Sequence, residues 1–256
     1  MKKDELSAEA LRGALGATDV RVIVHDMLDS TNTEAKRLAA AGMRGTTLVA
    51  ASLQTAGRGR MGRSFYSPDR TGVYFSLLYT PRAPLCGAVS LTGAAAVAVM
   101  RAINRTCGRS PSIKWVNDLY LDGKKVCGIL AESLVMPGAE PQVVLGIGVN
   151  LSTASFPKEL EGIAGALHAE GLTRCELIAA IYREIEPFLR DPADRSWLED
   201  YRRHSMVLNR PVEWRCGDEV HSGVAEAIGE DGELVVRDAD GVQSVLRTGE
   251  ISVRVQ

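Results

Sequence analysis

The hydrophobic positions of this chain change period several times along its length, and each change marks an element. Leu6, Leu11 and Leu15 recur at helical spacing behind Asp4 and Ser7, either of which can cap, so residues 4 to 15 read as a short amphipathic helix. Residues 20 to 28 (VRVIVHDML) are β-branched and alternating, the pattern of a strand. Thr31 and Glu34 stand three apart ahead of an alanine-rich run that ends at Gly42, a capping-box spacing that predicts a helix over Thr31 to Ala41. A strand at 46 to 52 runs into LQTAGRGRMGRSFYSPDRTG, which has no period and reads as a long loop. Loops of that length inside a compact domain are usually functional or mobile. An apolar strand at 73 to 79 and a small-residue helix at 90 to 103, able to pack closely on a sheet, complete the first half.

SIKW, DLYL, KVCGILAESL and QVVLGIGVNL then supply consecutive strand candidates, with Asp122-Gly123 as the turn between the second and third. That succession predicts hairpins in a mixed sheet rather than a pure βαβ repeat. Helices are expected at about 173 to 189 and 195 to 204. Beyond Asn209-Arg210-Pro211 the pattern becomes short strands separated by GD, EDG and DADG turns, as in a small β-barrel. The expected fold is therefore α+β, a mixed β-sheet domain with flanking helices over residues 1–207 and a small β-domain over 208–256. The second is too small to be very stable alone and is expected to dock on the first.

Composition narrows the partners. The 256 residues are 45% hydrophobic, enough for a real core, and 30 basic against 32 acidic residues leave a formal charge of -2. A surface built throughout for nucleic acid is excluded, so any basic function is local. Five scattered cysteines (Cys86, Cys107, Cys127, Cys175, Cys216) form no C-x-x-C pair and have no histidine at metal-ligand spacing, which points to a reducing compartment. Asp4, Glu5 and Glu9 interrupt what would have to be an apolar signal core, and no apolar run of about 18 residues occurs, so a cytoplasmic protein with no membrane partner is expected.

Three segments carry chemistry. The first is Gly57-Arg58-Gly59-Arg60-Met61-Gly62-Arg63, preceded by Gln54 and followed by Phe65-Tyr66-Ser67-Pro68. Closely spaced guanidiniums repel one another until an anion arrives, and glycine permits close backbone approach, so the loop suits phosphate or carboxylate. A solvated charged turn or an RNA contact of the arginine-glycine kind is the alternative. It is not a Walker loop, because the G-K-[ST] ending is absent. The second runs from Lys114-Trp115-Val116-Asn117-Asp118 through Asp122-Gly123 to Lys125 and Gly128. A hairpin there brings Asn117 and Asp118 near Lys125, giving a carboxylate for Mg²⁺ and an ammonium for an anion, while Gly128 leaves room for a ligand to lie flat. The alternative makes Asn117 and Asp118 turn residues and Lys125 a solvated lysine. The third is Gly146-Ile147-Gly148-Val149-Asn150, where glycines could admit a purine and an amide could meet its edge, or where the glycines mark only bulges and close packing.

Together with Ser30-Thr31-Asn32, these motifs resemble biotin protein ligases, a family recognised by a GRGRxGR loop, a KWPNDLYL-type segment leading to a K-x-x-G-I-L strand, and a later GxGxN strand. The resemblance covers about Val22 to Arg254, including a small C-terminal SH3-like β-domain. Val116 stands where the family commonly has proline. The resemblance implies an ATP-dependent enzyme that makes biotinyl-5′-AMP and passes biotin to a lysine of a biotin carboxyl carrier protein. It implies that Ser30, Thr31, Asn32 and Gln54 bind the head of biotin, whose neutral ureido ring suits hydroxyls and amides, with Gly128 beside them. It further implies that Arg58, Gly59 and Arg60 fold over biotin and the adenylate phosphate, and that Arg63, Asn117, Asn150 and Arg254 serve ATP. Lys125 and Arg60 are the implied catalytic residues and Asp118 the implied Mg²⁺ partner.

Family members with a second function carry an N-terminal winged helix-turn-helix, and the short stretch before Ser30 leaves no room for one, so no operator DNA binding is expected. Homodimers through the sheet edge are common in the family. The nearest rival is a lipoate ligase or octanoyl transferase, the latter able to use Cys127 as an acyl-thioester nucleophile, whereas a ligase needs ATP and no cysteine. A buried, inert Cys127 is the simpler expectation. A non-catalytic nucleotide or RNA binder gains nothing from the net charge or from Ser30 to Asn32. His25, His168, His204 and His221 lie outside the motifs and read as structural or surface residues, and Trp115 as core or pocket wall.

Overall fold

The computed structural model describes residues 4–82, 87–135, 138, 140–216, 219–247, 254 and 255. Its centre is a seven-stranded mixed sheet built from β1 (Arg21–Leu28), β2 (Thr47–Gln54), β3 (Gly72–Tyr79), β4 (Ser112–Lys114), β5 (Asp118–Leu121), β6 (Lys124–Leu134) and β7 (Gln142–Asn150). The order is β1-β2-β3-β7-β6-β5-β4; β1 and β2 are parallel, joined through helix α2 (Thr31–Ala40), and every other pairing is antiparallel.

The central strands are covered on both faces, which explains why their sequences read as near-continuous apolar runs. Successive residues of β2 point opposite ways: Leu48 and Ala50 join the main core, while Val49 packs with Ala35 and Ala39 of α2. Helix α1 (Ala8–Leu15), the small-residue helix α3 (Ala88–Cys107), α4 (Arg174–Arg190) and α5 (Leu198–His204) cover the main-core face. The small residues of α3 permit close approach, as at Gly93, where a Cβ would lie 2.6 Å from the Trp197 ring.

The predicted capping box does not form. Ser30, not Thr31, is the N-cap of α2 and makes no side-chain cap hydrogen bond, while the Thr31 hydroxyl is engaged by Gln54 and Ser76. A true capping box stands at Thr173 and Glu176, ahead of α4. Helix α3 is longer than its pattern suggested, running on to the left-handed Gly108, and α5 is shorter at its start.

The C-terminal strands β8 (Pro211–Cys216), β9 (Glu219–Ile228), β10 (Leu234–Arg237), β11 (Gln243–Leu246) and β12 (Arg254–Val255) form an antiparallel sheet in the order β11-β10-β9-β8-β12. It docks as expected: Val212, Trp214, Ala225, Leu234 and Val236 belong to the same apolar cluster as the large sheet. The Trp115 indole donates to the Gly232 carbonyl at 2.9 Å, and Arg195 pairs with Asp231. Among the described residues, no helix is long and apolar enough to cross a membrane.

Candidate active site

A cavity of about 560 Å³ opens where the head of α2, the loop after β2, the β5–β6 hairpin and the end of β7 converge. All the predicted site residues except Arg254 line it: Ser30, Thr31, Asn32, Gln54, Arg58, Gly59, Arg60, Arg63, Asn117, Asp118, Lys125, Gly128 and Asn150. The side chain of Arg254 lies outside the described residues.

One end of the cavity is neutral and polar. Ser30, Thr31 and Asn32 are buried, and Thr31 donates through its backbone N–H to Gln54 Oε1 at 2.8 Å. Gln54 Nε2 in turn donates to Ser67 Oγ at 2.8 Å. The Ser76 hydroxyl lies 2.8 Å from Thr31 Oγ1 and 2.6 Å from Asn32 Oδ1, and Asn32 Nδ2 donates to Glu132 Oε2 at 2.9 Å. Glu132 also accepts from Lys36 Nζ at 2.6 Å and from Arg58 Nη2 at 3.1 Å. Burial raises the Glu132 carboxyl, but the hydrogen bonds from Lys36 and Asn32 outweigh it and hold the group below the usual glutamate range.

The other end is charged. Lys125 Nζ sits 2.7 Å from Asp118 Oδ1. The Lys125 backbone is pinned on its outer side, its N–H donating to Ile163 O and its carbonyl accepting from Gly165. Asn117 is no mere turn residue: Oδ1 accepts from Arg60 Nη1 at 3.0 Å, and Nδ2 donates to the Ile129 carbonyl at 3.0 Å. Burial lowers the Arg60 guanidinium from its ordinary value, with Asp118 opposing that effect, and Arg60 Nη2 is buried without a hydrogen-bond partner among the described residues. Asn150 spends Nδ2 on the Gly165 carbonyl and leaves a buried Oδ1 unpaired among those residues.

Two sequence expectations need correcting. The arginine loop is not a set of unopposed cations, since Arg58 meets Glu132 and Arg60 meets Asn117. Within the loop, Gly59 N–H donates to the Arg63 carbonyl, and Met61 and Gly62 sit at positive φ in a tight turn. Nor do the strand glycines lie open to a flat ligand. Gly128 and Gly148 face each other across β6 and β7, and Phe65 lies on them; a Cβ at Gly148 would stand 2.6 Å from its ring and one at Gly128 3.2 Å. Gly146 accommodates Asn32, whose Oδ1 would be 2.0 Å from an added Cβ.

Sequence reasoning missed Glu132, Phe65, Ser67 and Ser76. For Glu132 a signal existed, an acid inside the otherwise uncharged GILAESL strand. Trp115 is both core and cavity wall, as expected. Cys127 is fully buried, and burial pushes its thiol well above the usual range, so it cannot supply a thiolate. Cys86 lies outside the described residues, as does the side chain of Cys216; Cys107, Cys127 and Cys175 are free thiols. No group of three or more His, Cys, Asp or Glu side chains could hold a metal ion among the described residues, and Asp118 is the lone carboxylate lining the cavity.

Comparison with known proteins agrees with this geometry. The model of the biotin/lipoate A/B protein ligase family matches residues 24–150, and that of the biotin protein ligase C-terminal domain matches residues 207–254. The bifunctional ligase/repressor BirA of Bacillus subtilis is 34% identical, covering 95% of this chain and 78% of the relative. The biotin--[acetyl-CoA-carboxylase] ligase of Paracoccus denitrificans is 33% identical, covering 85% of this chain and 94% of the relative. Among solved structures, the biotin protein ligase of Aquifex aeolicus in complex with biotin and ATP superimposes with a TM-score of 0.79 at 26% identity, covering 92% of this chain and 99% of that one.

Proposed function

Because the chain belongs to the biotin protein ligase family, whose members form biotinyl-5′-AMP from biotin and ATP and transfer biotin to a carrier-protein lysine, we propose a role for each end of its cavity. The neutral end, Ser30, Thr31, Asn32 and Gln54, holds the ureido ring of biotin. The charged end, Lys125 with Arg58, Arg60 and Arg63, receives the biotin carboxylate and the phosphates of ATP, and Asn117 and Asn150 serve the nucleotide side. The observation that carries this reading is the placing of an uncharged hydrogen-bonding cluster and a cationic cluster inside one 560 Å³ cavity, as an uncharged ring ending in a carboxylate requires.

In the first half-reaction the biotin carboxylate attacks the α-phosphorus of ATP and pyrophosphate leaves. Negative charge grows on the phosphoryl oxygens, and Lys125 and Arg60 are the fixed cations nearest to meet it. In the second, a neutral acceptor lysine attacks the acyl carbon and AMP leaves. Mg²⁺ would arrive with the nucleotide, with Asp118 supplying one carboxylate and the triphosphate the rest, as that ion is ordinarily held. When bound, the ion supplies charge neutralisation on the phosphates.

The acceptor is the lysine of a biotin carboxyl carrier protein or domain. The free thiols of Cys107, Cys127 and Cys175 favour work in the cytoplasm, and β1, an outer strand of the sheet, offers an edge for a homodimer. Pyrophosphate exchange tests the substrate. Labelled pyrophosphate should enter ATP when biotin and Mg²⁺ are present and no acceptor is added, and lipoate or octanoate should not replace biotin. Equal exchange with lipoate overturns the assignment.

A further inference from the structure

Glu132 does not line the cavity, yet helix α2 and the arginine loop both converge on it. Its Oε2 accepts from Asn32 at the head of α2, and its Oε1 accepts both from Lys36 one turn further along that helix and from Arg58 in the arginine loop. Two cations converge on the carboxylate, which is only 19% exposed, so its charge is compensated and the group is set in place.

An asparagine amide can present either end to a ligand, and a half-turn exchanges donor for acceptor. At Asn32 both ends are assigned. A carboxylate only accepts, so the –NH₂ must face Glu132, while the oxygen receives the Ser76 hydroxyl 2.6 Å away. Gly146 leaves room for this arrangement and for no bulkier residue, with Asn32 Oδ1 filling the space its Cβ would take. What Asn32 still offers the cavity is therefore one N–H and one oxygen lone pair in a fixed sense.

We propose that Glu132 is a positioning residue for biotin selection, locking the Asn32 amide in the one orientation that matches the donors and acceptors of the ureido ring. The inference rests on the neutral end of the cavity being the biotin site. Replacement by glutamine keeps the shape but can donate as well as accept, so the amide loses its fixed sense.

The test is titration calorimetry with biotin on the full chain, without ATP, as a double-mutant cycle of Glu132→Gln and Asn32→Ala. Glu132→Gln should weaken biotin binding roughly tenfold or more, the scale of a hydrogen bond to a charged group. The KM for biotin should rise in step. In the Asn32→Ala background the same change should do little, because Glu132 then has no amide to orient. Should Glu132→Gln not fold, Ser76→Ala removes the opposite anchor of the amide and carries the same expectation in the same cycle. Additive effects, or unchanged biotin affinity in the folded variant, overturn the role of Glu132 while leaving the biotin site intact. If the unaltered chain fails to bind biotin, the site assignment falls first and this inference with it.

Discussion

Lys125 Nζ lies 2.7 Å from Asp118 Oδ1 across a hairpin whose pairing slips between Leu119 and Tyr120. The slip decides the chemistry of the cavity. Leu119 pairs with Cys127, and both are buried in the core; a regular strand would put Lys125, two residues before Cys127, on that same buried face. The bulge pairs Lys125 with Tyr120 instead, moving it to the face of Asp118 and Gly128.

Lys125→Ala removes a fixed cation needed most where phosphoryl charge develops. Adenylate formation in single turnover should fall by about 100-fold to 1,000-fold, with little change in biotin affinity measured without ATP. A single-turnover rate within about threefold of the unaltered protein would strike Lys125 from the catalytic residues.

Arg60→Gly should slow adenylate synthesis without abolishing it, since Lys125 remains, and should hold the product less tightly. Arg60 Nη2 is a buried donor without a hydrogen-bond partner among the described residues, placed to bind an anion in the cavity. Escaped biotinyl-adenylate acylates accessible lysines, so a streptavidin blot should show biotin on bystander albumin. Hydrogen exchange over residues 55 to 64 should slow when the adenylate binds. Equal protection with and without it, together with an inactive variant that labels nothing, would make the loop a rigid wall.

Cys127→Ser should leave ligation near its original rate, because a fully buried thiol raised by its surroundings is neither nucleophile nor base. In the native protein Cys127 should resist iodoacetamide and become reactive only in denaturant, read by peptide mass mapping. Loss of activity with the fold intact would reopen the thioester route.

Gly148→Ala sets a methyl group 2.6 Å from the Phe65 ring. Overpacking of this kind costs about 1–3 kcal/mol, seen as a lower denaturation midpoint. In a Phe65→Ala background the same substitution should cost far less. An equal cost in both backgrounds would mean that Phe65 is not what Gly148 makes room for.

The elements were legible where burial is simple. Alternation in β1, the apolar runs of β3 and β7, and the glycine turns of the small sheet all follow from period and turn chemistry. The cavity residues were legible as motifs, but their partners were not, because these come from elements far away in sequence. Glu132 stands a hundred positions from Asn32, and Phe65 reaches its glycine seat only after the sheet has formed. The bulge at Leu119/Tyr120 leaves no local signature, since β-pairing and not composition creates it. Thr31 looked like a capping residue because spacing alone cannot reveal that its hydroxyl is engaged by Ser76 and Gln54.

Trp115 stands two residues before Asn117 in the chain, and its indole N–H ends on the carbonyl of Gly232 in the small C-terminal sheet. A chain cut ahead of β8 would thus not merely shed an accessory piece. It would take the acceptor from the Trp115 indole and remove the brace behind the segment that aims Asn117 and Asp118. The small sheet is, in effect, the far abutment of an arch whose keystone is the reaction centre.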